Sequence, residues 1–186
     1  MNGFFSLIDQ LNAHPEQAET LEALIWQTFG VEKAVLALDM SGFSLTVRRD
    51  GILAYLQRIR RMQQVSLPLV PAHGGEVVKC EADNLMLVFN SGLQAVQAAL
   101  AIRNACHAIG QEVSIGLDYG HILYIPESDC YGDAVNLAYK LGEDLARGGE
   151  ILITAAIRQA LPPGAFSLKE EHFSISGLDL HVWRIL

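Results

Sequence analysis

Short aliphatic runs alternate with longer amphipathic stretches along most of this chain, and their order constrains the fold most strongly. A run at 35–40 precedes an amphipathic stretch at 44–65, and two runs at 76–80 and 85–89 flank a turn. A second helical stretch then leads to a run that begins at Val113. Short aliphatic runs favour buried strands, whereas apolar residues every three or four positions favour helices. The β-α-β-β-α-β order predicts an α+β fold with a ferredoxin-like βαββαβ core, followed by an extra C-terminal helix and β-hairpin.

Three local patterns complete this prediction. Asp118–Tyr119–Gly120 predicts a turn between strands at 113–117 and 121–125. Residues 133–146 predict a helix, because their apolar residues recur at helical spacing. The tail predicts a closing hairpin around Gly177.

The length of 186 residues is that of one ordinary domain with a short appendage. Apolar residues recur at helical spacing in the first 30 residues, and Gly30 follows them. We predict an N-terminal helical appendage over 1–32, without recognisable sensor chemistry, and one domain over 33–186.

Composition excludes several classes of protein. The chain is 51% hydrophobic and 18% charged, with a mean hydropathy of +0.24, which excludes intrinsic disorder. The apolar excess also suggests a surface that a partner covers. With 13 basic and 21 acidic residues the net charge is −8, which disfavours nucleic acid as a partner, because Lys and Arg supply most of that affinity.

The sequence also suggests where the protein acts. No apolar run is long enough to cross a membrane, and the first ten residues lack the pattern of a secretory signal. Cys80, Cys106 and Cys130 have no CxxC spacing, so neither a disulfide framework nor a zinc ribbon is indicated. We expect a cytoplasmic protein with reduced thiols and no membrane partner.

Two aspartates are the first candidates for chemistry. Asp39 ends a predicted buried strand, and Asp83 lies in the turn of the predicted hairpin. Carboxylates that converge at strand ends can hold Mg²⁺ or Mn²⁺. The alternative is that Asp39 caps the next helix and Asp83 is an ordinary turn residue.

Two further segments carry polar groups that suggest a phosphate ligand. Gly42 and Phe43 follow Asp39 where a strand gives way to a helix, and a glycine there allows phosphate oxygens to approach the backbone. Asn136 and Lys140 are four residues apart and share one face of a predicted helix. That pair is equally consistent with a plain exposed polar stripe.

Taken together and in this order, these segments resemble the class III nucleotide cyclase catalytic domain, the adenylate and guanylate cyclase family. The similarity runs from about Val35 to the C-terminus. The segments that carry it are Asp39–Phe43, Lys79–Asp83, Ala95–Ile102, Ile115–Gly120, Tyr131–Ala138 and Ile175–Trp183.

The resemblance implies two-metal catalysis. Asp39 and Asp83 match the aspartates that hold two divalent ions, Mg²⁺ or Mn²⁺, and the backbone around Gly42 and Phe43 matches the phosphate cradle. In the family the ribose 3′-oxygen attacks the α-phosphorus and pyrophosphate leaves.

The resemblance also implies which purine is bound. Lys79 and Asp129 match the pair that selects the base. Lysine only donates hydrogen bonds and a carboxylate only accepts them, which suits N1 and the C6 amine of adenine. Guanine presents the reverse pattern, and guanylate cyclases usually carry Glu and Cys at these positions. The pair therefore points to ATP.

Asn136 matches the asparagine that orients the ribose, and two positions and the closing hairpin depart from the family pattern. Lys140 replaces the arginine that stabilises the transition state, and lysine lacks the planar fork of arginine. Ala82 replaces a glycine before the second aspartate, where alanine resists a positive φ. The closing hairpin has Ser176 and Leu178 where many members carry a lysine that touches the triphosphate.

In this family each site lies between two subunits, so the resemblance implies a homodimer. The leading hypothesis is an adenylate cyclase that makes 3′,5′-cyclic AMP for intracellular signalling. The alternative is a non-catalytic or weakly active module for nucleotide binding or dimerisation, because of Lys140. A diguanylate cyclase is disfavoured because its turn motif is absent from Glu81–Leu85, and the six histidines show no metal-ligand spacing.

Overall fold

The computed structural model describes residues 2–41, 43–175 and 177–186. The helices are α1 (Asn2–Ala13), α2 (Ala18–Phe29), α3 (Phe43–Asp50), α4 (Ile52–Ser66), α5 (Leu69–Ala72), α6 (Gly92–Ala108), α7 (Asp133–Tyr139) and α8 (Ala155–Ala160). The strands are β1 (Gly30–Met40), β2 (Gly75–Glu81), β3 (Asn84–Phe89), β4 (Val113–Ile125), β5 (Asp129–Tyr131), β6 (Ile151–Thr154), β7 (Leu168–Ile175) and β8 (Leu178–Ile185).

The strands form one sheet in the order β2-β3-β1-β4-β6-β8-β7, and β5 pairs with β4 outside this path. The first four strands in this order pair antiparallel, β6 joins parallel to β4, and the β7–β8 hairpin joins through β8. Because helical crossovers preserve strand direction and the β2–β3 hairpin reverses it, β1 lies between two antiparallel neighbours. The predicted α+β fold, with its ferredoxin-like core and added C-terminal elements, is confirmed.

Alternating side chains divide β1 between two apolar layers. Leu36 and Leu38 pack with α4, α6 and α8 on one face of the sheet. Val35 and Ala37 pack with α7 and β5 on the other face. Because side chains alternate along a strand, Asp39 belongs to the second series and lies on the α7 face, close to the end of β1.

The predicted turn at Asp118–Tyr119–Gly120 is wrong, because β4 continues without interruption through these residues. They pair with Val35, Ala34 and Lys33 of β1, so the long ladder overrides a local turn signal. The Asp118 side chain is buried and accepts a hydrogen bond from the hydroxyl of Thr154.

The predicted helix at 44–65 is divided into α3 and α4 at Gly51. The φ of Gly51 is +85°, a left-handed backbone conformation that interrupts the helix and that glycine adopts readily. The predicted helix at 133–146 is also modified. Its α-helical part, α7, ends at Tyr139, and residues Lys140–Leu145 form a π-helical turn. Such turns insert one extra residue and rotate the side chains that follow.

Two glycines allow this π-helical turn to lie directly on the sheet. A Cβ at Gly116 of β4 would lie 2.1 Å from the carbonyl oxygen of Ala138, and one at Gly142 would lie 2.8 Å from that of Ala37. Any larger residue would push the turn away from β1 and β4. The close approach brings Glu143, next to Gly142, to the end of β1 where Asp39 lies.

Helices α1 and α2 precede β1 and pack on the sheet through a small buried cluster of Phe4, Ile25 and Ile125. No helix in the described ranges has the length and apolarity needed to cross a bilayer.

Candidate active site

Asp39 and Asp83 lie at the same end of the sheet. Leu38 of β1 pairs with Leu85 of β3, which places the turn that carries Asp83 beside the end of β1. Tyr55 of α4 donates a hydrogen bond from its hydroxyl to Oδ2 of Asp83, at 2.6 Å. The structure therefore brings the two predicted metal-binding residues to one place.

The charge on Asp39 is poorly stabilised in the metal-free protein. Burial raises the pKa of Asp39 to about 6, and the nearby carboxylates of Asp83 and then Glu143 contribute in the same direction. The backbone N–H of Met40 opposes this rise. The site thus brings together three carboxylates, those of Asp39, Asp83 and Glu143, and their repulsion adds to the effect of burial on the pKa of Asp39.

Sequence reasoning missed Glu143 and Asn84. Asn84 donates from Nδ2 to Oε1 of Glu143 at 2.8 Å, and burial, Asp144 and Asp83 raise the pKa of Glu143. Oδ1 of Asn84 is buried and has no hydrogen-bond partner among the described residues. Helical spacing could not have indicated Glu143, because it lies in the π-helical turn that follows α7.

These residues fit a hard divalent cation. Mg²⁺ and Mn²⁺ prefer carboxylate and amide oxygens, and a cation would offset the repulsion that raises the pKa of Asp39. The amide of Asn84, which donates to Glu143 through Nδ2, offers an additional buried oxygen, Oδ1, that has no hydrogen-bond partner in the described part of the chain. Asp39 and Asp83 are the residues that would hold the ions.

Removing the charge of Asp39 is expected to stabilise the metal-free protein. A carboxyl whose pKa rises from 3.8 to about 6 on folding binds its proton more tightly in the folded state. Its contribution to the free energy of unfolding is therefore greatest below pH 3.8 and is lost as the pH rises to about 6. We expect Asp39→Asn to gain about 1 kcal/mol at pH 7.5, less than the ~3 kcal/mol of two pKa units, because water reaches the site.

The measurement is thermal unfolding in EDTA, where the midpoint should rise by about 2–4 °C. Asp9→Asn, at an exposed position of α1, is the matched control and should leave the midpoint unchanged. Excess Mn²⁺ should then stabilise the wild type more than Asp39→Asn. A midpoint for Asp39→Asn at or below that of the wild type in EDTA would contradict the prediction.

Lys79 and Asp129 form the second group. Nζ of Lys79 lies 2.5 Å from Oδ2 of Asp129, and this hydrogen bond raises the pKa of Lys79. The contact depends on a β-bulge at Val78, after which Lys79 pairs with Met86. Met86 faces α7, so the bulge turns Lys79 to the α7 face, whereas regular alternation from Val77 would point it to the opposite face.

Two hydrogen bonds, and a ring contact that supports one of their donors, fix the position of Asp129. Its Oδ1 accepts a hydrogen bond from the backbone N–H of Cys130 at 2.9 Å, and its Oδ2 accepts one from the Tyr131 hydroxyl at 3.1 Å. The ring of Tyr131 stacks on that of Phe4 in α1, with ring centres 5.6 Å apart and planes 5° apart. The N-terminal helices thus support the residue that positions Asp129.

Asn136 and Lys140 lie on and directly after α7. The buried side of this helix, with Ala134 and Ala138, packs on the sheet, while the Asn136 side chain is exposed. Nζ of Lys140 lies 3.8 Å from Oδ2 of Asp144. Asn136 is therefore on the side of α7 that a ligand or a second subunit can reach, whereas the Lys140 side chain is 20% exposed.

The structure describes some of the remaining predicted positions and not others. Gly42 and Ser176 lie outside the described residues, and Phe43 begins α3. The phosphate cradle at Gly42 and Phe43 stays a prediction. Ala82 adopts a φ of +49°, so the turn takes the left-handed conformation that glycine would favour despite the alanine side chain.

The fold and this arrangement define a class, the nucleotide cyclase catalytic domains, and comparison with known proteins supports it. A protein of Rhizobium meliloti (strain 1021) named "Putative adenylate cyclase 3" is 31% identical over 134 residues. The match covers 68% of this chain but 22% of that protein, so the chain spans a small part of its curated relative. No family model matches the chain.

Solved structures share the fold at low sequence identity. The adenylyl cyclase CyaB from P. aeruginosa aligns with a TM-score of 0.75 at 16% identity, covering 84% of this chain and 94% of that chain. The guanylate cyclase domain of RhGC from Catenaria anguillulae, in complex with GTP, aligns with a TM-score of 0.74 at 18% identity, covering 84% and 97%. The chain belongs to the class III nucleotide cyclase family, as its sequence motifs predicted.

Proposed function

We propose that this protein is an adenylate cyclase that converts ATP to 3′,5′-cyclic AMP and pyrophosphate at the interface of a homodimer, in intracellular signalling. The observation that carries the proposal is the contact between Lys79 and Asp129. It pairs one obligate donor with one obligate acceptor, the combination that suits N1 and the C6 amine of adenine. A residue pair selective for guanine would present the opposite polarity.

The remaining residues have distinct proposed roles. Asn136 orients the ribose, Lys140 stabilises charge on the α-phosphoryl oxygens, and the backbone at Gly42 and Phe43 binds phosphates. Divalent ions held by Asp39 and Asp83 would supply activation of the 3′-hydroxyl and neutralise the triphosphate. Phosphoryl transfer depends mainly on such positioning and electrostatics, so no further nucleophile is required.

The distribution of charge supports a site shared between two chains. Among the described residues, the charged groups that act on the pKa of Asp39 are the acids Asp83 and Glu143, whereas Lys79 is paired with Asp129 in the second group. Asp39 and Asp83 would thus receive their complement of cationic and base-binding residues from a second subunit.

An exposed apolar surface lies beside the aspartates. Ile52, Leu53 and Leu56 of α4 are 51%, 72% and 50% exposed, and they flank Tyr55, which contacts Asp83. Covering this surface with a second subunit would bury it next to the metal-binding residues. We propose residues 33–186 as the dimerising domain and residues 1–32, the last three of which begin β1, as an appendage that contacts it through Phe4.

The direct test is incubation of the purified protein with ATP or GTP and Mn²⁺ or Mg²⁺, followed by chromatography. We expect cyclic AMP and pyrophosphate from ATP, with GTP turned over at least tenfold less efficiently. Cyclic GMP as the main product would overturn the substrate assignment.

A second candidate function is a nucleotide-binding or dimerisation module without turnover, and Lys140 is the observation that favours it. Lysine offers a single charged centre in place of the two parallel donors of arginine. Absence of cyclic product, together with measurable ATP binding, would favour this module.

Lys140→Arg is expected to raise kcat about tenfold, since a planar guanidinium can hold two oxygens of the reacting phosphate at once. The measurement is initial rate at saturating ATP and Mn²⁺. Lys169→Arg, on β7, is the matched control and should leave kcat unchanged. A kcat for Lys140→Arg equal to or below that of the wild type would contradict a role for this position in the transition state.

A further inference from the structure

A cluster of two histidines and a glutamate lies on the β7–β8 hairpin, apart from the proposed active site. His172 of β7 is directly opposite His181 of β8, and Glu170 precedes His172 by two residues. Side chains two residues apart in a strand share a face, so all three project from the same side of the hairpin.

The potential ligand atoms of this cluster converge. The two imidazole rings stack with centres 4.2 Å apart and planes 12° apart. Nε2 of His181 contacts Oε1 of Glu170, and Nε2 of His172 lies 3.9 Å from the same oxygen. One ligand atom from each residue lies within 4.8 Å of the other two.

The cluster is open to solvent, which gives an ion a route of entry. The side chains of His172, His181 and Glu170 are 73%, 45% and 55% exposed. Among the described residues, this is the one group of three or more His, Cys, Asp or Glu side chains whose ligand atoms converge this closely. His14 also pairs with a carboxylate, Glu16, but that pair has no second histidine.

We propose that Glu170, His172 and His181 bind a late first-row divalent metal ion, Zn²⁺ foremost, with water completing the coordination. Two imidazoles and one carboxylate form a borderline nitrogen and oxygen ligand set, which favours zinc, copper and nickel. Metal–ligand distances of about 2.0–2.2 Å require ligand atoms ~3.4 Å apart in a tetrahedral site. The ligand atoms lie within 4.8 Å of one another, and side-chain rotations that unstack the two imidazole rings would bring them to that spacing.

The ligand set separates this site from the proposed catalytic ions. Mg²⁺ prefers oxygen ligands, which Asp39 and Asp83 offer, and it has low affinity for imidazole. Mg²⁺ in excess should therefore leave zinc bound to the hairpin.

Metal binding here would stabilise the pairing of β7 and β8 at an edge of the sheet. β7 is the last strand in the sheet order and pairs with β8. An ion held by residues of both strands adds a link between them that exists in the folded state alone, so binding stabilises that state.

The test is isothermal titration of ZnCl₂ into the metal-stripped full chain with excess Mg²⁺ present. The chain carries Asp39→Asn and Asp83→Asn to remove the aspartate site. We expect one zinc ion per chain. His172→Ala or His181→Ala should each weaken binding by more than about tenfold, and Glu170→Gln should weaken it less. His14→Ala is the matched control and should bind as the parent does.

A second measurement, tryptophan fluorescence, does not depend on the heat of binding. The Trp183 ring lies 4.4 Å from that of His181, so Cu²⁺ at the site should quench Trp183 fluorescence in a Trp26→Phe chain. His172→Ala should abolish most of the quenching, and its far-ultraviolet circular dichroism in EDTA shows whether it is folded. Zinc binding absent from the parent, or unchanged in both histidine variants, overturns the proposal.

Discussion

Two inactive variants, Asp39→Asn and Asn136→Ala, are expected to restore cyclase activity when they are combined. Asp39→Asn removes a metal ligand and should lower kcat by at least about 1,000-fold, and Asn136→Ala should lower it by about 100-fold through loss of ribose orientation. In a shared site the two residues come from different chains. A mixed dimer then has one doubly damaged site and one intact site.

The expected size of the restored activity follows from the fraction of active sites that are intact. Random pairing of equal amounts makes half of the dimers mixed, and each has one intact site of two, so we expect about a quarter of wild-type activity. Purification of the mixed dimer through two different tags should raise this to about half. The measurement is cyclic AMP formation at saturating ATP and Mn²⁺.

A matched control uses two variants from the same half-site. Asp39→Asn combined with Asp83→Asn leaves every site without one metal ligand, so activity should stay at background. Mixed dimers that form but remain as inactive as their parents would contradict the shared site. Full activity in a monomeric fraction would contradict it as well.

The second large effect concerns the purine. Lys79→Glu together with Asp129→Cys is expected to move the preference between ATP and GTP toward GTP by about 100-fold or more. The glutamate accepts from N1–H of guanine and the thiol donates weakly to O6, whereas adenine would face two groups of the wrong polarity. The measurement is the ratio of kcat/KM for the two nucleotides.

A single substitution and a control test whether this pair causes the change in nucleotide preference. Lys79→Glu alone places a carboxylate where Nζ now lies 2.5 Å from Asp129, and the repulsion should lower activity with both nucleotides. Lys33→Glu is a matched control, since Lys33 also pairs with an acid, Glu76, but belongs to neither proposed group. An unchanged nucleotide ratio in a folded double variant would show that this pair does not select the base.

How much the sequence could predict differs between fold and site. The βαββαβ order followed from the spacing of apolar residues, because that spacing reflects burial in the sheet. The turn predicted at Asp118–Gly120 failed because turn propensity is local, whereas eleven residues of β1 pair along β4. Likewise, helical spacing could not reveal the π-helical turn that depends on contact between Gly142 and Ala37.

Site residues that are distant in sequence and meet in the folded chain could be predicted mainly from the resemblance to the cyclase family. Lys79 and Asp129 are 50 positions apart, and a bulge at Val78 makes them meet. No spacing rule indicates this. Tyr55 and Asn84 had no signal of their own.

The histidine pair did have a signal that a search for sequential ligand spacing overlooks. In the closing hairpin Ile175 pairs with Leu178, so residues three positions further out, His172 and His181, must face each other. Register about a turn, and not separation along the chain, determines which ligands can meet in a hairpin.

The β2–β3 hairpin carries Lys79 and Asp83 four residues apart. In the proposed dimer these two residues serve different active sites, so a tilt of this one hairpin displaces a base-binding residue of one site and a metal ligand of the other together. Nucleotide bound at one site would then alter metal affinity at its twin, and cooperativity between the two sites follows from the geometry of a single turn.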